Sequence, residues 1–331
     1  MTPVSRRTLL QWAAIAALPG VAGAGEPLRQ ATMIVGSPAG GTTDRLARMY
    51  ATGLQGTYAD AVVVDDKPGA GGVIAYEYVK RSGNKDGSLF FISPAYPIVI
   101  TPHLVSLPYD PLRDFVPVAT TGRSCMTFAV GPGTPAEVKT LKDYLAWCRA
   151  NPGSALYAAQ TGSSQHLMGA VMAQATGVAL ENVSYKGDAP ALQDVLGGHV
   201  PAVILPIAAA LPLYGQQQIR VLAVSRAQRS RLLPDVPTFA ELGYPEVLFQ
   251  DWLGMFAPAG TSVDQVRELN RLVGELQRSP RGAETLAQMG MEPEVMTPEI
   301  FAQTLQADYQ RYGAFIEHTH FRRIYENASG R

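Results

Sequence analysis

Thr32-Met33-Ile34-Val35-Gly36-Ser37-Pro38-Ala39-Gly40-Gly41-Thr42-Thr43-Asp44 runs from an apolar strand through a loop of small residues into Arg45-Leu46-Ala47-Arg48-Met49-Tyr50. The spacing of Leu46, Tyr50 and Leu54 puts one apolar face on a helix that starts there. Thr42, Thr43 or Asp44 can cap that helix by accepting from its free backbone N–H groups. The remaining N–H groups and the helix dipole make the loop electropositive. Gly40 and Gly41 lack side chains, so a ligand can approach the backbone closely. The loop is therefore a candidate cradle for a small anion, a carboxylate or a phosphate. No Lys-Ser/Thr pair follows the glycines, which excludes a nucleotide-binding P-loop. An ordinary strand-to-helix connection of an α/β domain has the same pattern, so this loop alone leaves both readings open.

The amino terminus bears on the compartment. Ser5-Arg6-Arg7-Thr8-Leu9-Leu10 is a twin-arginine pattern, followed by an apolar run to Leu18, Pro19-Gly20, and Ala22-Gly23-Ala24 as a small-x-small cleavage site. The run falls short of the ~20 apolar residues that span a bilayer. Residues 1–24 are read as a removable export signal of the twin-arginine type, which implies a periplasmic protein. Losing its two arginines and no acid takes the formal net charge from −1 to −3. A near-neutral chain without a Lys/Arg block argues against nucleic acid and anionic membrane surfaces as partners. No later segment is long and apolar enough for insertion into a membrane. A chain of 331 residues is long enough for two domains.

The two cysteines cannot make a metal site of the usual spacing. Cys148 shares a helical face with Leu141 and Leu145, and Cys125 sits in the strand-like run to Val130. An oxidising compartment permits a disulfide between them, but the balance is against the bond. The five histidines form no HxxxH or HExxH pair, so no metal is expected.

Strand-like runs alternate with helical patterns along the rest of the chain, which points to α/β units with largely parallel sheets. Val62–Val64 leads through Lys67-Pro68-Gly69-Ala70-Gly71-Gly72 to a helix near Val73–Lys80. Leu89–Ile92 leads to a loop, Ser93-Pro94-Ala95-Tyr96-Pro97, and then to a Pro-rich connection. Strand 125–130 precedes a helix capped by Thr140. Leu156–Ala159 enters Gln160-Thr161-Gly162-Ser163-Ser164 and a helix with Leu167, Met168, Val171 and Met172. Val183–Tyr185 enters Lys186-Gly187-Asp188 and a helix with Pro190 at its first position and Asp188 as cap. Ser262 caps a further helix, and Thr297-Pro298 starts the last long one. Helix N-termini thus gather near Asp44, Ser164 and Asp188. Ligands of open α/β sheets bind at the carboxyl ends of strands, where such loops collect.

In this order and spacing the fragments resemble the Bug family, the periplasmic solute receptors of tripartite tricarboxylate transporters. The resemblance covers nearly all of the chain after the signal. It is carried by Ser37–Asp44 with Ala47-Arg48, Lys67–Gly72, Thr161–Leu167, Tyr185-Lys186-Gly187, Gly197-Gly198, Leu222–Ser225, Pro234–Thr238 and Trp252–Thr261. It implies a two-lobed periplasmic-binding-protein fold, type II-like, each lobe a central mostly parallel sheet flanked by helices, with a hinge between. The expected division is 25–124 plus 246–331 for one lobe and 125–245 for the other. The family holds its ligand's carboxylate with backbone N–H groups, hydroxyls and waters, without an arginine clamp. The expected site is therefore Ser37, Pro38, Ala39, Gly40, Gly41, Thr42 and Thr43 on one side and Gln160, Thr161, Gly162, Ser163 and Ser164 on the other. Ser93, Ala95, Tyr96, Tyr185 and Lys186 are expected within reach. The chain departs from the family at Gly36-Ser37-Pro38-Ala39, where many members carry an aromatic residue, so the first loop lacks that wall.

The resemblance implies no catalytic residue, no cofactor and a monomer that delivers a small organic acid to the membrane subunits of the transporter. The rival from another class is an exported α/β enzyme using a nucleotide-type cofactor, with Gly69–Ala75 as a degraded dinucleotide fingerprint. Pro68 and the misplaced third glycine weaken that reading. No G-x-S-x-G elbow is present, and Ser163 or Ser164 with His166 on one helix start makes a poor triad. An orphan or sensory receptor without a transport role is the third reading.

Overall fold

A computed structural model describes residues 27–160, 163–185 and 187–329. The export-signal reading of 1–24, and the expected site residues Thr161, Gly162 and Lys186, lie outside the described residues.

The chain opens with three parallel strands, β1 (Leu28–Val35), β2 (Ala59–Asp66) and β3 (Leu89–Pro94), ordered β2-β1-β3. Helices α1 (Thr42–Leu54) and α2 (Val73–Ser82) make the crossovers. The short helices α3 (Ala95–Val99) and α4 (Thr101–Leu104) follow. The 16-residue strand β4 (Phe115–Val130) then leads into α5 (Leu141–Ala150), β5 (Leu156–Ala159), α6 (Ser164–Thr176), β6 (Glu181–Ser184) and α7 (Asp188–Leu196). Next come β7 (Ala202–Pro206), α8 (Ile207–Gly215) and β8 (Arg220–Val224). Strand β9 (Gln250–Pro258) returns to β3, and the chain closes with α9 (Val263–Arg278), α10 (Pro280–Gln288), α11 (Pro298–His318) and α12 (Phe321–Ser329).

Strand β4 changes partners along its length. From Phe115 to Cys125 it runs antiparallel to β9, and from Met126 to Val130 it lies between β7 and β8, antiparallel to both. Two mixed sheets therefore share one strand, and the hydrogen-bonded path is continuous through it. The parallel pairings join β1 to β2 and β3, and β5 to β6 and β7. The crossing strands and β8 supply the antiparallel ones. The first half of β4 falls partly in what reads as a Pro-rich connection. Its ladder is irregular between Pro117 and Ala119 and between Thr120 and Gly122, where the lost donor of proline and the missing side chain of glycine interrupt alternation.

The pleat sorts side chains into three clusters. Met33, Val35, Phe90, Ile92, Leu253 and Met255 face α1 and α9, meeting Leu46, Tyr50, Leu54, Leu269 and Val273. Their neighbours Ile34, Phe91 and Phe256 face the other way. There they share one cluster with Phe128, Tyr157 and Ile204 of the second sheet and with Trp252, Phe301, Leu167 and Tyr312. A third cluster joins Ala129, Ala158 and Val203 to Val195 and Ala210 of α7 and α8. The shared cluster is anchored where the buried Trp252 donates from Nε1 to Asp308 Oδ2 at 2.8 Å and meets Phe301 edge-on, centroids 5.3 Å apart.

Several local expectations hold. Thr140 and Asp143 form a capping box, and Ser262 and Thr297 cap α9 and α11. Others do not. Helix α1 is capped by Gly41 without any side-chain bond, so Thr42, Thr43 and Asp44 lie inside its first turn. Gly187, not Asp188, precedes α7, which makes Pro190 its third residue. The expected loop at Ser93–Pro97 is absent, because β3 runs directly into α3. The balance against a disulfide agrees with the structure, in which Cys125 and Cys148 are both free and buried.

Two ion pairs fasten the segment after α10, one to the crossing strand and one to the chain that follows β8. Arg123 Nη2 lies 2.6 Å from Glu294 Oε1. Arg226 pairs with Glu292, which also accepts from Ser230 Oγ at 2.6 Å and from the Arg231 amide at 3.2 Å. Removing one member of such a pair leaves a charge and two donors without a partner in a largely dehydrated place. Glu292→Ala is expected to lower unfolding stability by about 3 kcal/mol in a urea titration, with Glu292→Gln losing less because its amide oxygen still accepts.

Candidate functional site

The loop after β1 is tightly built. A Cβ at Gly36 would stand 2.8 Å from the Gly72 Cα and 3.2 Å from the Tyr76 hydroxyl, so this loop and the one after β2 touch backbone to backbone. Gly69, Ala70, Gly71 and Gly72 all have positive φ, a run that glycine tolerates and that turns the chain sharply into α2. The glycines of this segment thus serve close packing of two connections. Gly40, at φ 82, donates from its amide to Asp44 Oδ2 at 2.7 Å, and the Gly41 amide donates to Pro38 O at 3.3 Å. The two glycine amides expected to face an anion are therefore already engaged. Helix geometry leaves the N–H groups of Thr42, Thr43 and Asp44 without intrahelical acceptors. Burial pushes the Asp44 carboxyl up, but Arg48 at 2.7 Å and the Gly40 amide outweigh it and hold it below the usual range. Asp44 is a brace for the loop.

On the other side, Ser163 caps α6. Its Oγ accepts from the His166 amide at 3.3 Å and donates to Gln160 O at 2.6 Å, tying the loop back on itself. Gln160 is exposed, and the Gln165 side chain donates to Asp188 Oδ1 at 3.1 Å, linking the starts of α6 and α7. The Tyr185 hydroxyl donates to Asp194 Oδ2 at 2.6 Å, which holds its ring against α7. Ser93 is buried and bonded to the Tyr76 hydroxyl at 2.8 Å.

Three of the expected residues meet at one slot between the sheets. Ala95 and Tyr96 come from α3 and Ser164 from the first position of α6. Ile100, Met126, Phe249 and Tyr312 of α11 complete the apolar and aromatic wall, and Asp251 enters from β9. Ser37–Thr43 and Tyr185 are not among the residues lining it. The slot encloses about 10 Å³, room for about one water molecule. Asp251 escapes a reading by motif because it precedes the family-like run that starts at Trp252. A lone acid heading an otherwise apolar strand is the signal that marks it. It sits opposite Ser124, one step from the point where β4 changes partners. Its carboxylate has no hydrogen bond or ion pair among the described residues, and burial raises its pKa to about 6. His166 on α6 is also buried, its ring 5.1 Å from that of Phe321, and burial lowers its pKa to about 4.

The model of the family described as tripartite tricarboxylate transporter family receptor matches residues 46–321. The chain belongs to this family. It is 35% identical to the BugT protein of Bordetella pertussis over 295 residues, 88% of this chain and 90% of that protein. An R. palustris protein solved with adipate is 34% identical, with a TM-score of 0.73 over 88% of this chain and 98% of its own. MatC from Rhodopseudomonas palustris, solved with bound malate, is 26% identical, with a TM-score of 0.70 over 88% and 99%. The α/β fold with a mixed, curled sheet is that of the receptor family, and receptors of this kind bind solutes and are not enzymes.

The raised pKa of Asp251 has a thermodynamic consequence. Its contribution to stability is fully present below the unfolded value of 3.8 and is lost as pH rises through about 6. His166 acts in the opposite sense over nearly the same window, losing stability as pH falls from 6.5 through about 4. The wild-type melting profile therefore blurs the two, and the difference between wild type and Asp251→Asn separates them. Asp251→Asn is expected to be the more stable protein at pH 7.5, by on the order of 2 kcal/mol, and to match wild type near pH 4 when both are melted in parallel.

Proposed function

We propose that this chain is a periplasmic solute receptor that binds a small carboxylate between two lobes and delivers it to the membrane subunits of a tripartite tricarboxylate transporter. The lobes would be 25–124 with 246–331, built on the first sheet, and 125–245, built on the second. The protein would act as a monomer, without metal or cofactor. The observation that carries this reading is membership of the receptor family together with two relatives of the same fold that were solved holding adipate and malate. The local chemistry supports it. Helices α1 and α6 offer free first-turn N–H groups, and Ser164 stands at the slot. A slot of about 10 Å³ is too small for any dicarboxylate, so binding would require the two sheets to part at the β4 and β9 crossing and close again over the ligand. Among the described residues no helix is long and apolar enough to cross a membrane.

A thermal-shift screen of organic acids on the purified protein tests the reading. A ligand that binds only the folded state adds RT ln(1 + [L]/Kd), about 2.7 kcal/mol at a hundredfold excess over Kd. At least one small carboxylate is expected to raise Tm by several degrees. A shift with a nucleotide or flavin and none with carboxylates would turn the assignment toward an exported enzyme. Gly41→Leu, which crowds Pro38 O, and Ser163→Ala, which removes the α6 cap, are each expected to weaken binding at least tenfold by calorimetry. Unchanged affinity in both variants would show that the two loops are not the anion cradle.

A further inference from the structure

The carboxylate of Asp251 fits poorly with a site that receives only anions. It lines the slot beside Ser164, at the start of α6, and among the aromatic rings of Tyr96, Phe249 and Tyr312. A second ligand carboxylate placed there would meet a fixed negative charge in a poorly hydrated setting, where like charges repel strongly. The nearby cations do not neutralise it. Arg311, whose guanidinium stands 5.1 Å from the Tyr312 ring, is paired with Asp308 at 2.8 Å. Arg226 is paired with Glu292. Met126, Ala95 and Ile100 offer no donor.

What suits the place is a cation. An ammonium is attracted by the faces of aromatic rings and by an adjacent carboxylate, and Asp251 has acceptor capacity that no hydrogen bond or ion pair among the described residues uses. A few ångströms of ligand could then join this acidic, aromatic end to the N–H-rich helix starts that favour a carboxylate. Resting on the carboxylate-receptor reading and narrowing it, the geometry points to an aminocarboxylate as the ligand of this chain, with its ammonium on Asp251 between Tyr96, Phe249 and Tyr312. The receptor would thereby discriminate against diacids of the same length, such as the adipate held by its R. palustris relative.

The test is a matched titration by calorimetry at pH 7.5. Alanine, β-alanine, 4-aminobutyrate and 6-aminohexanoate are compared with malonate, succinate and adipate, on wild type and on Asp251→Asn. The best aminocarboxylate is expected to bind wild type at least tenfold more tightly than any of the diacids. In Asp251→Asn that preference should fall at least tenfold, with the diacids gaining affinity as the repulsion is removed. Asp251→Glu, which keeps the charge, should retain the preference for an ammonium. A diacid that binds wild type as tightly as every aminocarboxylate, with Asp251→Asn unchanged, overturns the role of Asp251 and leaves the carboxylate receptor standing. Failure of both series to bind a folded wild type overturns the two together.

Discussion

The architecture depends on one strand serving two sheets. Residues 115–130 must be extended and largely buried, yet hydrogen-bond to β9 over their first part and to β7 and β8 over the rest. A strand exchanging partners in this way ties the sheets together through backbone hydrogen bonds that cannot be dropped without leaving buried N–H and C=O groups unpaired. It also makes the exchange point, at Cys125 and Met126, the natural place for rotation, because there the strand leaves one ladder for the other. The ion pairs of Arg123 with Glu294 and of Arg226 with Glu292 flank that point. The first holds the segment after α10 on β4, and the second ties that segment to the chain that follows β8.

The consequence for binding is that the slot opens where the shared strand passes. Tyr96, Ser164, Asp251 and Tyr312 come from α3, α6, β9 and α11, elements far apart in sequence that share one apolar cluster. Around them most polar groups are already committed. Ser163 is tied to the Gln160 carbonyl, Tyr185 to Asp194, Ser93 to Tyr76 and the Gly40 amide to Asp44. Such prior commitments hold the loops in shape and limit the groups that remain for a ligand, which is how a receptor gains selectivity with few charged residues.

Much of this was legible in the chain. The helical spacing of Leu46, Tyr50 and Leu54 and the caps at Thr140, Ser262 and Thr297 are local physics, settled within four residues, and the structure agrees with them. The order of strand, small-residue loop and helix gave the α/β class for the same reason. The cap of α1 was misplaced because Thr42, Thr43 and Asp44 are all good capping residues. None of them takes the position: Gly41 does, and Asp44 in the first turn instead accepts from the Gly40 amide and pairs with Arg48.

Sequence by itself determined the class of fold, the family and which loops carry small residues at helix starts, since each follows from short-range pattern. Only the tertiary structure decided that β4 extends from Phe115 through Pro117 and Gly122, since pairing with β9 outweighs the local breakers. It alone brought Asp251 to the slot beside Tyr96 and Ser164, because that meeting requires β9 to return from the far side of the second sheet and pair Asp251 with Ser124 of β4. No window along the chain contains both sides of such a contact, so burial, charge and partner at Asp251 are properties of the fold and not of its neighbours in sequence.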